Sequence, residues 1–309
     1  MKGVLDIIFI LVGGLPLTFR VWLGRGCGWI CRNVLRFRRQ LVQKHLDMAF
    51  PELDVSARTA LSRRVYRHLG LLFVELLALP RLRPRTLARL VSIRGTENVR
   101  SALAEGRGVL ILAAHVGNWE LGLAATQRLG IESRTVVKEI KGQLGQYAAA
   151  RIRGAHGVQA VIRRGALKAI LATLRDRGVV GFVLDQNVTA DEGVFVEFFG
   201  RPACTLPGLA VIAQRSGAPV VPIVMYRDPD LRHHHVEFLA PVPWASLGGS
   251  RDADIRHNTQ RYTRIIETMI REHPEQWLWL HRRWRTQPGA APPADRGGTG
   301  PGSASRQAP

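Results

Sequence analysis

"VLILAAHVGNWELGLAATQRLG", residues 109–130, decides how this chain folds. Its first six residues are an uninterrupted apolar run of strand length, and its second half carries apolar residues at helical spacing. Between the two, Val116-Gly117 supplies a turn and Asn118 a good N-cap, while Gly130 suits the helix end. The stretch therefore predicts strand, tight turn, helix. His115 then stands at the carboxyl end of the strand and Glu120 in the first helical turn. On one continuous helix five residues amount to about 500° of rotation, which would put the two on different faces. The break lets them share a crevice of the kind in which open α/β sheets bind ligands. Two readings follow for the pair: a general base with a supporting carboxylate, or a loop histidine beside an acid that favours the helix dipole.

The same alternation extends in both directions. Strands are expected at 109–114, 133–138, 179–185 and 220–227, with helices over Trp119 to Leu129, Gln143 to Arg153, Ala166 to Arg177 and Leu206 to Ser216. "RHHHVEFLAPV" adds a strand expected to be antiparallel, and "ADIRHNTQRYTRIIETMIREHP" a late helix stopped by Pro274. Upstream, Ser56 to Leu79 is apolar at helical spacing and ends at Pro80. Strands alternating with helices of this length imply an α/β fold, a mixed central sheet covered by helices.

The amino end differs. "GVLDIIFILVGGLPLTFRVWLG" is nearly continuous apolar sequence from Gly3 to Gly24, interrupted by Asp6, Thr18 and Arg20. A spanning helix needs about twenty such residues, so the expectation is an N-terminal membrane-anchoring helix. The arginines at its end and beyond (Arg20, Arg25, Arg32, Arg36, Arg38, Arg39) mark the following segment as cytoplasmic. Interleaved Trp22, Trp29, Leu35 and Phe37 also suit a helix lying in the headgroup layer. Three regions result: 1–40 as anchor and basic collar, 41–287 as the folded domain, and 288–309 as a tail whose Pro, Gly, Ala and Ser content predicts disorder.

The 309-residue chain carries 44 Lys plus Arg against 24 Asp plus Glu, a formal charge of +20. Such a surplus attracts acidic partners: anionic lipid, an acidic protein or nucleic acid. No nucleic-acid motif accompanies it, so membrane ranks first and no nucleic acid is expected. Cys27, Cys31 and Cys204 are odd in number and lack zinc spacing, which points away from a disulfide framework or a zinc site. A G-x-S-x-G elbow, an H-E-x-x-H pair and a Walker loop are all absent. The triple histidine His233 to His235 reads as structural, because neighbours on a strand point to opposite faces. No metal and no resident cofactor are expected.

"HVGNWE" resembles the H-x4-D/E box of the lysophospholipid acyltransferase superfamily, in the form of its lipid A biosynthesis (late, or secondary) acyltransferase branch. The likeness continues through residues 193–224, "GVFVEFFGRPACTLPGLAVIAQRSGAPVVPIV", and 273–284, "HPEQWLWLHRRW". This resemblance implies an enzyme of the bacterial inner membrane facing the cytoplasm. It would move a fatty acyl chain from acyl carrier protein, or from acyl-CoA, to a hydroxyl of a lipid A precursor. It further implies His115 as the base and Glu120 as its acidic partner. Arg151, with Arg153 as rival, would be the functional arginine of "ARIRG", and Asp185 in "LDQN" the family's later aspartate.

Such chemistry needs donors for the developing oxyanion. Asn118, Arg151 and the amides at the helix start are candidates. Arg201 in "FFGRP" could pair with an acceptor phosphate or be a surface arginine. Phe195, Phe198 and Phe199 either line an acyl channel or belong to the core. Two rival functions remain: transfer to another glycolipid such as a phosphatidylinositol mannoside, and a non-catalytic basic membrane or nucleic-acid binding protein.

Overall fold

The computed structural model describes residues 1–289, so the tail expected from Pro288 falls, from residue 290 on, outside the described residues. The chain opens with four helices, α1 (Lys2–Gly14), α2 (Leu17–Asn33), α3 (Arg39–Ala49) and α4 (Val55–Ala78). Next come α5 (Pro84–Leu90), β1 (Val91–Arg94), α6 (Thr96–Ala104), β2 (Val109–Ala113), α7 (Trp119–Thr126) and β3 (Ser133–Val137). These lead into α8 (Gln143–Gly154), β4 (Gln159–Ile162), α9 (Leu167–Arg175) and β5 (Val179–Val183). A hairpin of β6 (Val194–Phe198) and β7 (Arg201–Thr205) precedes α10 (Gly208–Ser216), β8 (Val220–Arg227), β9 (His234–Phe238) and α11 (Arg251–Glu272).

Seven strands form one sheet in the order β1-β9-β8-β2-β5-β3-β4, and β6 with β7 makes a separate two-stranded ribbon. β9 runs antiparallel to β8, and β1 runs parallel to β9, so the sheet is mixed as expected. β2 lies between β5 and β8 and is buried along its whole length. Alternate side chains of a strand face opposite ways, and β2 therefore serves two cores. Leu110 and Leu112 join Val65, Ile170, Leu209, Ile266 and Trp277 on one face. Val109, Ile111 and Ala113 join Leu87, Val99, Leu121 and Ile223 on the other. Helices cover both faces.

The single N-terminal helix expected as the membrane anchor is instead two helices. Pro16 has no N–H to continue a helix and drives the preceding residue out of the helical region. Leu15 is accordingly extended at φ −66°, ψ 142°, and the apolar run becomes two helices. Thirteen residues of α1 reach about 20 Å, short of a ~30 Å hydrocarbon core. No helix among the described residues is long and apolar enough to cross a membrane. Arg20 folds back across the break and donates to the carbonyls of Leu15 (2.8 Å) and Gly13 (2.7 Å), satisfying the end of α1. Both helices pack on α4. Where α2 crosses α4 the backbones touch, since a Cβ on Gly70 would land inside Gly24 and Gly28. The outer faces leave Ile7, Ile10, Leu11, Phe19, Trp22 and Trp29 exposed.

Candidate active site

His115 follows β2 directly, and its position is fixed before its chemistry begins. Gly117 adopts φ +63°, and a Cβ there would meet the Met225 carbonyl of β8, so the turn needs glycine. The Gly117 amide donates to the Gln276 carbonyl at 3.0 Å, and the His115 carbonyl accepts from the Leu278 amide at 3.2 Å. The segment "HPEQWLWLHRRW" thus clamps the turn from the far end of the chain. Asn118 caps α7 as expected, its Oδ1 accepting from the Leu121 amide at 3.0 Å.

The carboxylate on the imidazole is Asp185, not Glu120. His115 Nδ1 lies 2.8 Å from Asp185 Oδ1, while the His115 amide donates to Oδ2 at 3.0 Å. Trp277 Nε1 donates to the same Oδ2 at 2.6 Å. Asp185 is buried at the end of β5, the parallel neighbour of β2, which is why seventy residues of sequence separation collapse to one hydrogen bond. Burial alone would raise its pKa. The neighbouring imidazole and three donated hydrogen bonds outweigh that and hold it well below the usual carboxylate range. For His115 burial acts to lower the pKa, but the charge and hydrogen bond of Asp185 prevail and leave it above the ordinary value. A carboxylate acceptor on Nδ1 selects the tautomer with Nε2 unprotonated. Nε2 looks into a cleft, with the Gln186 amide 3.4 Å away.

Glu120 is held by Arg153 instead. Arg153 Nε reaches both carboxylate oxygens at 3.1 and 3.0 Å, and Nη2 lies 2.5 Å from Oε1. Glu120 still raises the His115 pKa through its field. The two rival arginines part: Arg153 lines the cleft, whereas Arg151 turns to Asp6 of α1 at 3.2 Å. Helical residues two apart point in different directions. The expected oxyanion role of Asn118 is also corrected, because its amide Nδ2 donates to Glu75 Oε2 at 2.8 Å.

Glu75 is the residue the sequence reading missed. It stands in the apolar stretch "LLFVELLAL" of α4 and receives both Nη1 and Nη2 (2.8 Å) of buried Arg227, with His234 Nε2 at 3.3 Å. Burial opposes its ionisation, yet Arg227 and His234 keep its pKa far below normal. A lone acid in an otherwise apolar helix face was the available signal. The three histidines at 233–235 go separate ways, to Asp230, to Glu75 and to Asp228, as a structural reading requires.

The cleft lies over the carboxyl ends of β2, β5, β3 and β4 and is lined by His115, Glu120, Arg153 and Gln186, with the cations Lys138, Arg163 and Arg285. Against it, sharing Trp119, Leu123, Thr135, Phe182 and Val183, lies an apolar cavity bounded by Ile111, Val179, Gly181 and Met225. Arg201 does not line the cleft; it is exposed at the turn of the β6–β7 hairpin. Phe198 and Phe199 are core residues stacked among Trp277, Trp279 and Trp284 rather than a channel wall.

Residues 4–286 match the family model described as Bacterial lipid A biosynthesis acyltransferase. The chain is 28% identical over 287 residues to the Lipid A biosynthesis lauroyltransferase of Escherichia coli (strain K12), covering 91% of this chain and 90% of that one. It is 26% identical over 275 residues to the Lipid A biosynthesis palmitoleoyltransferase of the same organism, covering 89% and 87%. A Phosphatidylinositol mannoside acyltransferase of Mycobacterium tuberculosis (strain CDC 1551 / Oshkosh) is 26% identical over 217 residues, 68% of this chain and 66% of that one.

Proposed function

The chain belongs to the bacterial lipid A biosynthesis acyltransferase family, and we propose that it transfers a fatty acyl chain from a thioester to a hydroxyl of a lipid A precursor. The donor in this reading is acyl carrier protein or acyl-CoA. The observation that carries the proposal is His115, its Nδ1 tied to a buried carboxylate and its Nε2 open to a cleft that adjoins an apolar cavity.

The steps follow from those positions. The acceptor hydroxyl gives its proton to His115 Nε2, and its oxygen attacks the thioester carbonyl carbon. Asp185 stabilises the imidazolium and keeps the ring in register. Negative charge on the former carbonyl oxygen is met by the Arg153 cation and the Gln186 amide on the cleft wall. As the C–S bond breaks, the departing thiolate takes the proton back from Nε2. No acyl-enzyme forms, since the thioester is already activated. Glu120 acts beside this pair rather than within it: it holds Arg153 in the cleft and adds to the basicity of His115.

The apolar cavity accommodates the acyl chain, and Lys138 and Arg285 attract an anionic acceptor, Arg163 being paired with Glu192 at 2.8 Å. The exposed apolar face of α1 and α2, flanked by arginines, would lie in the headgroup layer of the inner membrane on its cytoplasmic side. In this reading the anchor lies on the membrane rather than spanning it. The partial match to a phosphatidylinositol mannoside acyltransferase supports a second acceptor class. Purified His115→Ala should lose transfer to a lipid A precursor while remaining folded; full activity would refute the base. Mass spectrometry of lipids from a deletion strain separates the acceptors, because only the first reading removes one chain from lipid A.

A further inference from the structure

We infer that the corner formed by residues 138–144 and 162–168 is where an acidic carrier protein docks to present its acyl thioester. The inference rests on reading the donor as a carrier-bound thioester, and it names the surface that receives it. β3 and β4 are parallel neighbours at the sheet edge with Val137 opposite Ile162, and the Arg163 amide donates to the Val137 carbonyl at 2.8 Å. The two segments that leave these strands therefore run side by side.

Together they carry five cations, Lys138, Lys141, Arg163, Arg164 and Lys168, against one acid of their own, Glu139. Glu192 pairs with Arg163 at 2.8 Å, which leaves four cations at this corner without an ion pair among the described residues. Set among the cations are Ile140, Leu144, Ile162 and Leu167, each 38–50% exposed. Beyond residue 37, the other exposed large apolar side chains of the described residues are Val55, Phe73 and Leu247, scattered singly. Apolar anchors among cations are what an acidic protein face needs: the anchors give contact and the charges give orientation and a fast encounter.

The corner also lies at the mouth of the site. Lys138, Ile140 and Arg163 line the catalytic cleft themselves. From β4 to β2, which carries His115, is three strand steps, roughly 14 Å. An extended pantetheine-type arm crosses such a gap, so a carrier seated on the corner could deliver its thioester without entering the cleft. A bilayer is a poorer fit, because nearly every apolar side chain here has a cation beside it, whereas α1 and α2 offer a continuous apolar face.

The test uses the full chain and the double variant Arg164→Glu/Lys168→Glu, neither residue lining the cleft. Transfer from lauroyl-carrier protein and from lauroyl-pantetheine, the bare arm, is measured with one lipid acceptor, and binding of carrier protein by calorimetry. The expected result is a KM for lauroyl-carrier protein raised ~10-fold or more with kcat preserved. Lauroyl-pantetheine turnover and binding to phosphatidylglycerol vesicles should be unchanged, and calorimetric binding lost. An unchanged KM, an equal loss with both donors, loss of vesicle binding, or no carrier binding by the unmodified chain would each overturn the docking surface. No transfer from either donor by a chain that still binds carrier would overturn the enzymatic reading instead.

Discussion

Replacing Asp185 by Asn is the change that most directly separates the arrangement of carboxylates seen here from the one the sequence suggests. Asp185 Oδ2 receives two donors, the His115 amide at 3.0 Å and Trp277 Nε1 at 2.6 Å. An asparagine must turn its carbonyl oxygen toward that pair, since its NH2 would oppose two N–H groups. The NH2 then faces His115 Nδ1, formerly 2.8 Å from a carboxylate oxygen. Nδ1 becomes an acceptor, the proton moves to Nε2, and the ring can no longer accept a proton from the acceptor hydroxyl. The corresponding swap in serine proteases lowers kcat about 10⁴-fold, and a lost general base costs 10²–10⁴, so a drop of roughly 10³ is expected here. That is about 4 kcal/mol of transition-state stabilisation. The KM for the lipid should change little, because no substrate contact is removed. A second signature comes from pH. Activity requires neutral His115, whose pKa Asp185 holds above the ordinary value against burial. Without the carboxylate, burial dominates and the acidic limb of the kcat profile should shift to lower pH even as its plateau falls. The assay is steady-state transfer of labelled acyl chain from thioester to lipid acceptor across the range in which histidine titrates. Near-normal kcat with an unmoved acidic limb in Asp185→Asn, alongside collapse in Glu120→Gln, would refute the reasoning and return the dyad to Glu120.

Glu75→Gln leaves buried Arg227 without its carboxylate and should destabilise the fold by about 3–5 kcal/mol, measured by chemical denaturation. A midpoint equal to that of the unmodified chain would show the pair to be dispensable. Gly181→Val projects two methyls into the apolar cavity, where a Cβ meets only ordinary contacts, the nearest being Thr135 Oγ1 at 3.4 Å. It should shift donor preference to shorter acyl chains in a competition assay, and an unaltered preference would move the chain elsewhere. Stability should decline as pH falls. Burial pushes the His68 pKa down to about 3 and that of His281 to about 4, and the pKa values of Asp185 and Glu75 are depressed as well. All four bind fewer protons folded than unfolded, so their stabilisation is complete above the unfolded histidine pKa of about 6.5 and is lost on acidification, first through the histidines and then below about 4 through the carboxylates. His115, with a raised pKa, acts in the opposite sense, losing its contribution as pH rises. Thermal unfolding followed by circular dichroism reads the balance; a midpoint rising on acidification would contradict it.

Local chemistry written into the chain determined the strand–turn–helix around His115, the cap at Asn118, the alternation that builds the sheet and the antiparallel β9. Each depends on neighbours within a few residues, where hydrogen-bond geometry and side-chain period act directly. The short edge strands β1 and β4 carried too little pattern to be read, and the break at Pro16 lost to the apolar length around it. What sequence could not decide was partnership. Glu120 stands five residues from His115, but the first helical turn aims it at Arg153; Asp185 stands seventy away, but parallel pairing of β2 with β5 delivers it to the ring. Arg151 and Arg153 share a motif and part company because a helix rotates them about 200° apart. Asn118 is likewise drawn from substrate to Glu75, an acid that only the packing of α4 brings within reach. Ion pairs and hydrogen bonds act over about 3 Å, and which groups come that close is settled by strand order and helix packing.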